Sequence, residues 1–364
     1  MQRMRSVVVS PDHTRVKLGG GHVLYSVYQG LEKYNLTTLG GSVADVGLGG
    51  FALGGGMSRL SPKYGLAMDN VFEYESQPDL YFALRGGMNN FGIVTEFTMR
   101  AVPKGQVYGG SLTYTADKRS AVLEEAYRLT ETWKNDTSMA FYYRFVYDPK
   151  ANDFTLTVSK EYAYPIMNPA PFAALDRIPS KSSEGRIDWP SRFSMDIISP
   201  YGDRNLFATI TYSPSVELDR NLQDFLMEEA SSIKDVQGFR PNIVIQPLYE
   251  AVIRSGKERG GNAAGIDANG PLTLVLFILT WDKAEDDSRI NLMAERWLER
   301  SNSLTKSVGK HHDWLYINYA NKKQDPFAGY GRENHQRLRN IQRQTDPLGI
   351  FTSKGLCRGY FKLL

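Results

Sequence analysis

The chain has 364 residues, 41% hydrophobic, 12% aromatic and 23% charged, a globular composition with ample apolar side chain for a core and a length that suggests two domains. Its 43 basic and 40 acidic residues are scattered, for a formal charge of +3, so nothing points to nucleic acid or to a membrane surface, and a small organic molecule is the expected partner. The single Cys357 excludes an intramolecular disulfide, no clustered histidines or thiols suggest a metal, and no apolar run approaches a membrane span or a signal-peptide core, so the chain as written is expected to stay in the cytoplasm.

Ser6 to Leu18 reads as two short strands around a Pro11-Asp12 turn, broken by Gly19-Gly20-Gly21. From His22 to Tyr34 the residues Val23, Leu24, Val27, Tyr28, Leu31 and Tyr34 recur at helical spacing. Eight glycines then fall between positions 40 and 56, too many for a helix or strand to be expected there. Backbone without Cβ atoms can lie close to an extended ligand, and successive N–H groups can form a concavity for anionic or electron-rich atoms. Gly47 to Ala52 fits G-x-G-x-x-A, with Asp69 about twenty residues on, as a Rossmann fingerprint requires. The context refuses that reading, because Ser42 to Val46 is a poor strand and the helix would run through Gly54-Gly55-Gly56 into Pro62.

Val71 to Tyr74 reads as a short strand, Leu80 to Arg85 as a helical turn capped by Asp79, and Phe91 to Val102 as a strand closed by Pro103. Lys104-Gly105 is the candidate boundary between a first domain, 1–104, and a second, 105–310. In the second, strands are expected at Val107–Tyr114, Ala140–Tyr147, Phe154–Val158, Leu206–Tyr212, Asn242–Gln246 and Leu272–Trp281. Helices are expected at Ala116–Trp133, Val216–Ile233 and Lys283–Asn302. This is an α+β pattern with a mostly antiparallel sheet and flanking helices. Tyr164 to Pro200, rich in Pro and Ser, is expected to be irregular. In 311–364, Trp314 to Tyr319 reads as a strand and Gly331 to Thr345 as a charged amphipathic helix stopped by Asp346-Pro347.

Three stretches, GGSVADVGLGGFALGGGMSRLSPKYGLAMDNV, LYFALRGGMNNFGIVTEFTMRAVPKG and YINYANKKQDPFAGYG, resemble the berberine bridge enzyme-like branch of the vanillyl-alcohol oxidase superfamily, with wording similar to its fungal, secondary-metabolite members. The resemblance implies a PCMH-type FAD-binding domain, of which 1–104 would be the C-terminal part and 311–364 the return, with 105–310 as the substrate domain. It implies FAD held by the main chain of Gly47, Leu48, Gly49 and Gly50, and of Gly54, Gly55, Gly56, Met57 and Ser58. Gly92, Ile93 and Val94 would meet its adenosine end, and Tyr316, Asn318 and Tyr319 its ring, although plain core packing also suits the two tyrosines.

The resemblance implies hydride transfer from a small specialised metabolite to the flavin, with a base to take a proton and dioxygen as the electron acceptor, its access controlled at Val46. Asn262, after Gly260-Gly261, and Tyr142, which shares a strand face with Arg144, are the first candidates for that catalysis, with Tyr249 and Glu250 as further options. Three departures accompany the likeness. Relatives carry a further N-terminal subdomain with an R-x-G-G-H-type loop and often a flavin-linked histidine, a role not transferred to His22, so the chain is expected to start downstream of it and a full-length form could be secreted. Val43 stands where bicovalent members have cysteine, so any flavin is expected to lack a thioether link. The hairpin that relatives place between Val71 and Pro78 is absent. These departures leave two alternatives beside the FAD enzyme: a flavin-free isomerase or cyclase on the same scaffold, and a non-catalytic remnant.

Overall fold

The computed structural model describes residues 1, 3–72, 77–197, 202–353 and 361–363; Cys357 and the second half of the expected Val71–Tyr74 strand lie outside them. Strand β1 (Val7–Val9) pairs antiparallel with β2 (Arg15–Gly19), as the Pro-Asp turn predicts. The following helix, Leu24–Glu32, buries Leu24, Val27, Tyr28 and Leu31, the stripe read from the spacing. Strand β3 (Leu36–Thr37) precedes the glycine-rich seam, β4 (Glu96–Arg100) adds to β2, and β5 (Val102–Pro103) pairs with β3.

The larger layer is an eight-stranded sheet of β6 (Val107–Tyr114), β7 (Met139–Asp148), β8 (Asp153–Tyr162), β9 (Ser182–Asp188), β10 (Arg204–Tyr212), β11 (Arg240–Leu248), β12 (Leu272–Trp281) and β13 (His311–His312). Its order is β13-β10-β12-β11-β7-β8-β6-β9, and every pairing among the described residues is antiparallel. Helices Arg119–Thr132, Val216–Ser231 and Asp287–Ser307 cover one face. Alternation sorts the side chains: Phe141, Tyr143, Phe145 and Tyr147 of β7 are buried, whereas Tyr142, Arg144 and Val146 between them are only partly so and point to the opposite face. On the helix side, Phe277 and Trp297 stack with centroids 4.1 Å apart, and Trp297 donates its indole N–H to the Leu222 carbonyl at 3.0 Å.

Five local expectations need correction. The seam contains a short helix, Leu48–Leu53, because Phe51, Ala52 and Leu53 bury apolar surface that offsets the cost of Gly49 and Gly50. The Asp79 turn begins earlier, at Pro78, with Asp79 in its first turn rather than at its cap. The strand expected from Phe91 starts only at Glu96, after extended coil. The Pro- and Ser-rich stretch contains edge strand β9. Trp314 to Tyr319 is not a strand but an extended segment ending in a turn, and the unexpected helix Glu250–Glu258 packs on Ser61–Tyr64.

That C-terminal turn fixes the seam. The Tyr316 hydroxyl, fully enclosed, accepts the backbone N–H groups of Gly56 at 3.0 Å and Met57 at 2.9 Å and the Asn318 amide at 3.2 Å. Asn318 also donates to the Phe51 carbonyl at 3.1 Å. The return is anchored again where the Tyr330 hydroxyl donates to the Gly86 carbonyl at 2.9 Å.

Two outcomes follow from these buried polar groups. Tyr316→Phe keeps the ring but removes the acceptor of three donors, and should lower unfolding free energy by about 2–4 kcal/mol in urea titrations. Beneath the sheet, Asp219 accepts hydrogen bonds from Tyr143 and from Tyr212, and burial pushes its carboxyl up from 3.8 to about 6. A raised folded pKa makes protonation stabilising, so this group's contribution is full below about pH 4 and lost as pH rises through about 6. Asp219→Asn should remove that slope, on the order of 2–3 kcal/mol, from the pH dependence of the urea midpoint.

Candidate functional site

The structure divides the predicted cofactor set into an open half and a closed half. At Gly47 and Gly50 an added Cβ would meet nothing within 4 Å, and at Gly49 only the Gly20 carbonyl at 3.7 Å. The N–H groups of Gly49 and Gly50 belong to the first turn of Leu48–Leu53, where helix geometry supplies no acceptor, whereas that of Leu48 donates to the His22 carbonyl at 2.9 Å. Gly20 links this open backbone to the second predicted segment: its N–H donates to Thr95 at 2.7 Å, and a Cβ on it would lie 2.6 Å from the Val94 carbonyl. Gly92, at φ 147°, also faces open space, and Ile93 is exposed. Bare main chain from Gly47 to Gly50 and Gly92 to Val94 therefore lies on two sides of Gly20. That is accessible backbone of the kind an extended, phosphorylated group needs, so these residues fit FAD.

Gly54 to Ser58 face inward instead. A Cβ on Gly54 would fall 2.1 Å from Asn318 Oδ1, and one on Gly56 would fall 2.5 Å from Ala67 Cβ. The N–H groups of Gly56 and Met57 go to Tyr316, and that of Ser58 goes to Ser61 Oγ at 2.9 Å. These glycines let Tyr316 and Asn318 approach the backbone. Tyr319 packs edge-on against Tyr316, centroids 4.6 Å apart, and donates to Gln246 of β11 at 3.2 Å. Burial pushes both tyrosine hydroxyls above their usual range. His22 is enclosed, with its ring nitrogens 2.8 Å from Ser26 Oγ and 3.2 Å from the Ser6 carbonyl.

Past the clamp the chain carries Arg59 to the uncovered face of the sheet. Its Nε lies 2.8 Å from Glu161 Oε1 of β8 and 3.2 Å from Ser42 Oγ. Glu161 Oε2 is buried and has no partner among the described residues, and burial raises the carboxyl to about 7 despite Arg59. A cavity of about 610 Å³ opens here, walled by Tyr142 and Arg144 of β7, Thr157, Ser159 and Glu161 of β8, and Arg186 of β9. Arg144 Nε is buried without an acceptor among the described residues. A smaller space of about 60 Å³ lies between Met57 and Ser58 and Tyr142, Glu161 and Gln246, so the seam meets the sheet there.

Of the two first catalytic candidates, Tyr142 lies in both cavity walls. Asn262 lines neither: its amide donates to buried Asp69 at 2.8 Å, and its carbonyl oxygen accepts the Gly265 N–H at 3.3 Å. Tyr249 borders the smaller space with an enclosed hydroxyl, and Glu250 is exposed in the first turn of its helix. Sequence reasoning missed Arg59 and Glu161. The only available signal was one of alternation, since Glu161 follows Thr157 and Ser159 at period two beyond the apolar stretch that marked the strand.

The family of FAD binding domains matches residues 1–76. The FAD-dependent monooxygenase tpcD of Cochliobolus heterostrophus is 30% identical, over 97% of this chain and 74% of its own length. The fold is shared with 6-hydroxy-D-nicotine oxidase of Arthrobacter nicotinovorans, at TM-score 0.77 and 19% identity over 97% of this chain and 80% of that one. It is also shared with berberine bridge enzyme of Eschscholzia californica, at TM-score 0.72 and 15% identity over 97% and 78%. The flavin-free alternative is therefore not favoured: the chain belongs to the FAD-dependent oxidoreductases of which that fungal monooxygenase is one, and it has the fold of berberine bridge enzyme.

Proposed function

We propose that this protein oxidises a small specialised metabolite lying between the glycine seam and the uncovered sheet face, and passes the electrons to dioxygen. The observation that carries the reading is that Arg59 from the seam, Tyr142 of β7 and Glu161 of β8 line both cavities, with Gln246 of β11, which accepts from Tyr319, lining the smaller one. Residues 1–104 and 311–364 form the cofactor domain in this reading, and 105–310 the substrate domain. The main chain of Gly47, Gly49, Gly50 and Gly92 to Val94 would hold FAD, and Tyr316, Asn318 and Tyr319 would frame it. Bound FAD supplies the acceptor for the substrate's hydride.

The chain's own side chains do the remaining work. Tyr142 and Arg144 orient oxygen atoms of the substrate from one strand face. The buried wall beside them excludes water and strengthens each polar contact. Asn262 acts at one remove, holding Asp69 and the loop behind the seam rather than touching substrate. Val46, next to Gly47, is assigned to oxygen access. Among the described residues no helix is long and apolar enough to cross a membrane.

Gly50 gives a direct test of the cofactor side, because it has helical backbone and open space where its Cβ would be. Gly50→Ala should leave thermal stability unchanged or slightly raised, by up to about 1 kcal/mol, yet weaken FAD binding about tenfold or more in flavin-fluorescence titrations. Wild-type FAD affinity in that variant would remove Gly50 from the cofactor site. For the acceptor, holoprotein photoreduced without air should regain its oxidised spectrum and release peroxide when air is admitted; protein that stays reduced in air does not use dioxygen.

A further inference from the structure

Three guanidiniums line the large cavity, and two of them are already neutralised by the chain itself. Arg59 is tied to Glu161, and Arg186 of β9 reaches Asp188 at 3.2 Å and the two carboxylate oxygens of Asp196 at 3.0 and 2.9 Å. Both also stack on Phe193, at 5.6 and 4.4 Å from its ring centroid, and are held there. Lys160 alternates with Ser159 and Glu161 on β8, so it belongs to the covered side, where it is buried and paired with Asp176.

Arg144 is the exception. It is half-buried in the cavity wall, its Nε is enclosed without an acceptor, and its two terminal nitrogens have neither a hydrogen bond nor an ion pair among the described residues. Strand register gives the reason. On the uncovered face its neighbours are Tyr142 and Val146 along β7, Thr157 across on β8 and Val244 across on β11, none of them acidic. Glu184, the remaining carboxylate of the wall, stands on β9, three strands from β7 and roughly 14 Å away. Taking a guanidinium partly out of water costs free energy that an anion brought to it recovers.

We propose that Arg144 anchors a carboxylate of the substrate, so that the metabolite oxidised here is an acid bound through that group. The inference rests on the reading of this cleft as the substrate site and names the substrate class within it. A guanidinium presents two parallel N–H donors to the two oxygens of a carboxylate, a match of charge and of shape together. One uncompensated positive charge suits a singly charged group. A phosphate monoester would bring a second negative charge into a wall that already holds Glu184.

The place of Arg144 in the wall sets where on the substrate that group lies. Tyr142 borders both the large cavity and the smaller space against Met57 and Ser58, whereas Arg144, the next residue on that face, borders the large one alone. Residues two apart on a strand are separated by about 7 Å. The carboxylate is therefore carried at the end of the molecule away from the seam, roughly 7 Å or more beyond the part that lies against Tyr142. No bond to it changes in the oxidation. Its binding holds the distant reacting end in position.

The experiment measures binding of 2-naphthoate and of its neutral isostere 2-naphthamide to the full chain with FAD present, by isothermal titration calorimetry at neutral pH, with no turnover required. Wild type should prefer the carboxylate about tenfold or more. Arg144→Gln should bind the two alike, and Arg144→Lys, which keeps the charge but not the planar fork, should keep a smaller preference. A merely structural loss would weaken both ligands together, so the ratio reports the anchor itself, and near-ultraviolet circular dichroism of Arg144→Gln checks that the fold is intact. Equal binding of the two by wild type, or an unchanged preference in Arg144→Gln, would overturn the proposal while leaving the cleft as substrate site. So would tighter binding of 2-naphthyl phosphate than of 2-naphthoate. Absence of binding by every ligand overturns the proposal and the cleft reading together, and no result touches the flavin test at Gly50.

Discussion

A single phenolic oxygen holds the functional region together. The Tyr316 hydroxyl takes two consecutive backbone N–H groups, from Gly56 and Met57, and so joins the end of the chain to a seam some 260 positions earlier. The contact requires bare backbone, since Gly54 and Gly55 have Asn318 and Tyr316 where a Cβ would project. Burying three donors without this acceptor would cost several times what a typical hydrogen bond contributes, so the arrangement is decided by satisfaction of polar groups more than by attraction. Its geometric effect is to aim the next residues, Ser58 and Arg59, at the sheet.

Arg59 and Glu161 then meet where two differently built layers join. A buried ion pair is weak evidence for stability, because desolvation of both charges opposes their attraction. Here Ser42 and one carboxylate oxygen are served, and the other oxygen is not. Glu161 therefore keeps a high affinity for protons even beside a guanidinium, with burial the larger of the two effects. A contrasting carboxylate, from the helix Val216–Ser231, lies against the covered side of the same sheet. Asp219 has hydroxyl donors at both oxygens, which makes it a closed structural unit, whereas Glu161 Oε2 is buried with no partner among the described residues.

Much of this was legible in the sequence where a regular period met a buried surface. The Tyr142-Arg144 face was readable because Phe141, Tyr143, Phe145 and Tyr147 alternate with it, whereas β12 is buried almost throughout and shows no such alternation. Signals failed where burial came from partners distant in sequence. Leu48 to Leu53 is helical despite two glycines because its apolar residues are covered, and propensity alone cannot see that cover. Strand β8 continues through Ser159, Lys160 and Glu161, residues with little strand preference, because it is paired on both sides: Glu161 opposes Ala140 of β7 and Gly109 of β6. Ending the strand at Val158 hid Glu161, and Arg59, in an irregular loop, had no periodicity to betray it.

The seam itself shows why a glycine count does not equal a ligand site. Gly54 and Gly56 lack side chains so that protein can come close, and Gly47 and Gly50 lack them with nothing near at all. Both patterns read alike in sequence, yet substitution at the first set meets protein atoms at 2.1 to 2.5 Å, whereas at Gly47 and Gly50 it meets open space. Helix propensity would favour alanine over glycine at position 50, inside Leu48–Leu53, by about 1 kcal/mol, and no contact within the chain opposes that replacement. A residue that is locally unfavourable and without a close neighbour among the described residues is what an approaching ligand would require, and that contrast is why the proposed reading puts the cofactor on the Gly47–Gly50 side, with Gly54–Ser58 as the frame behind it.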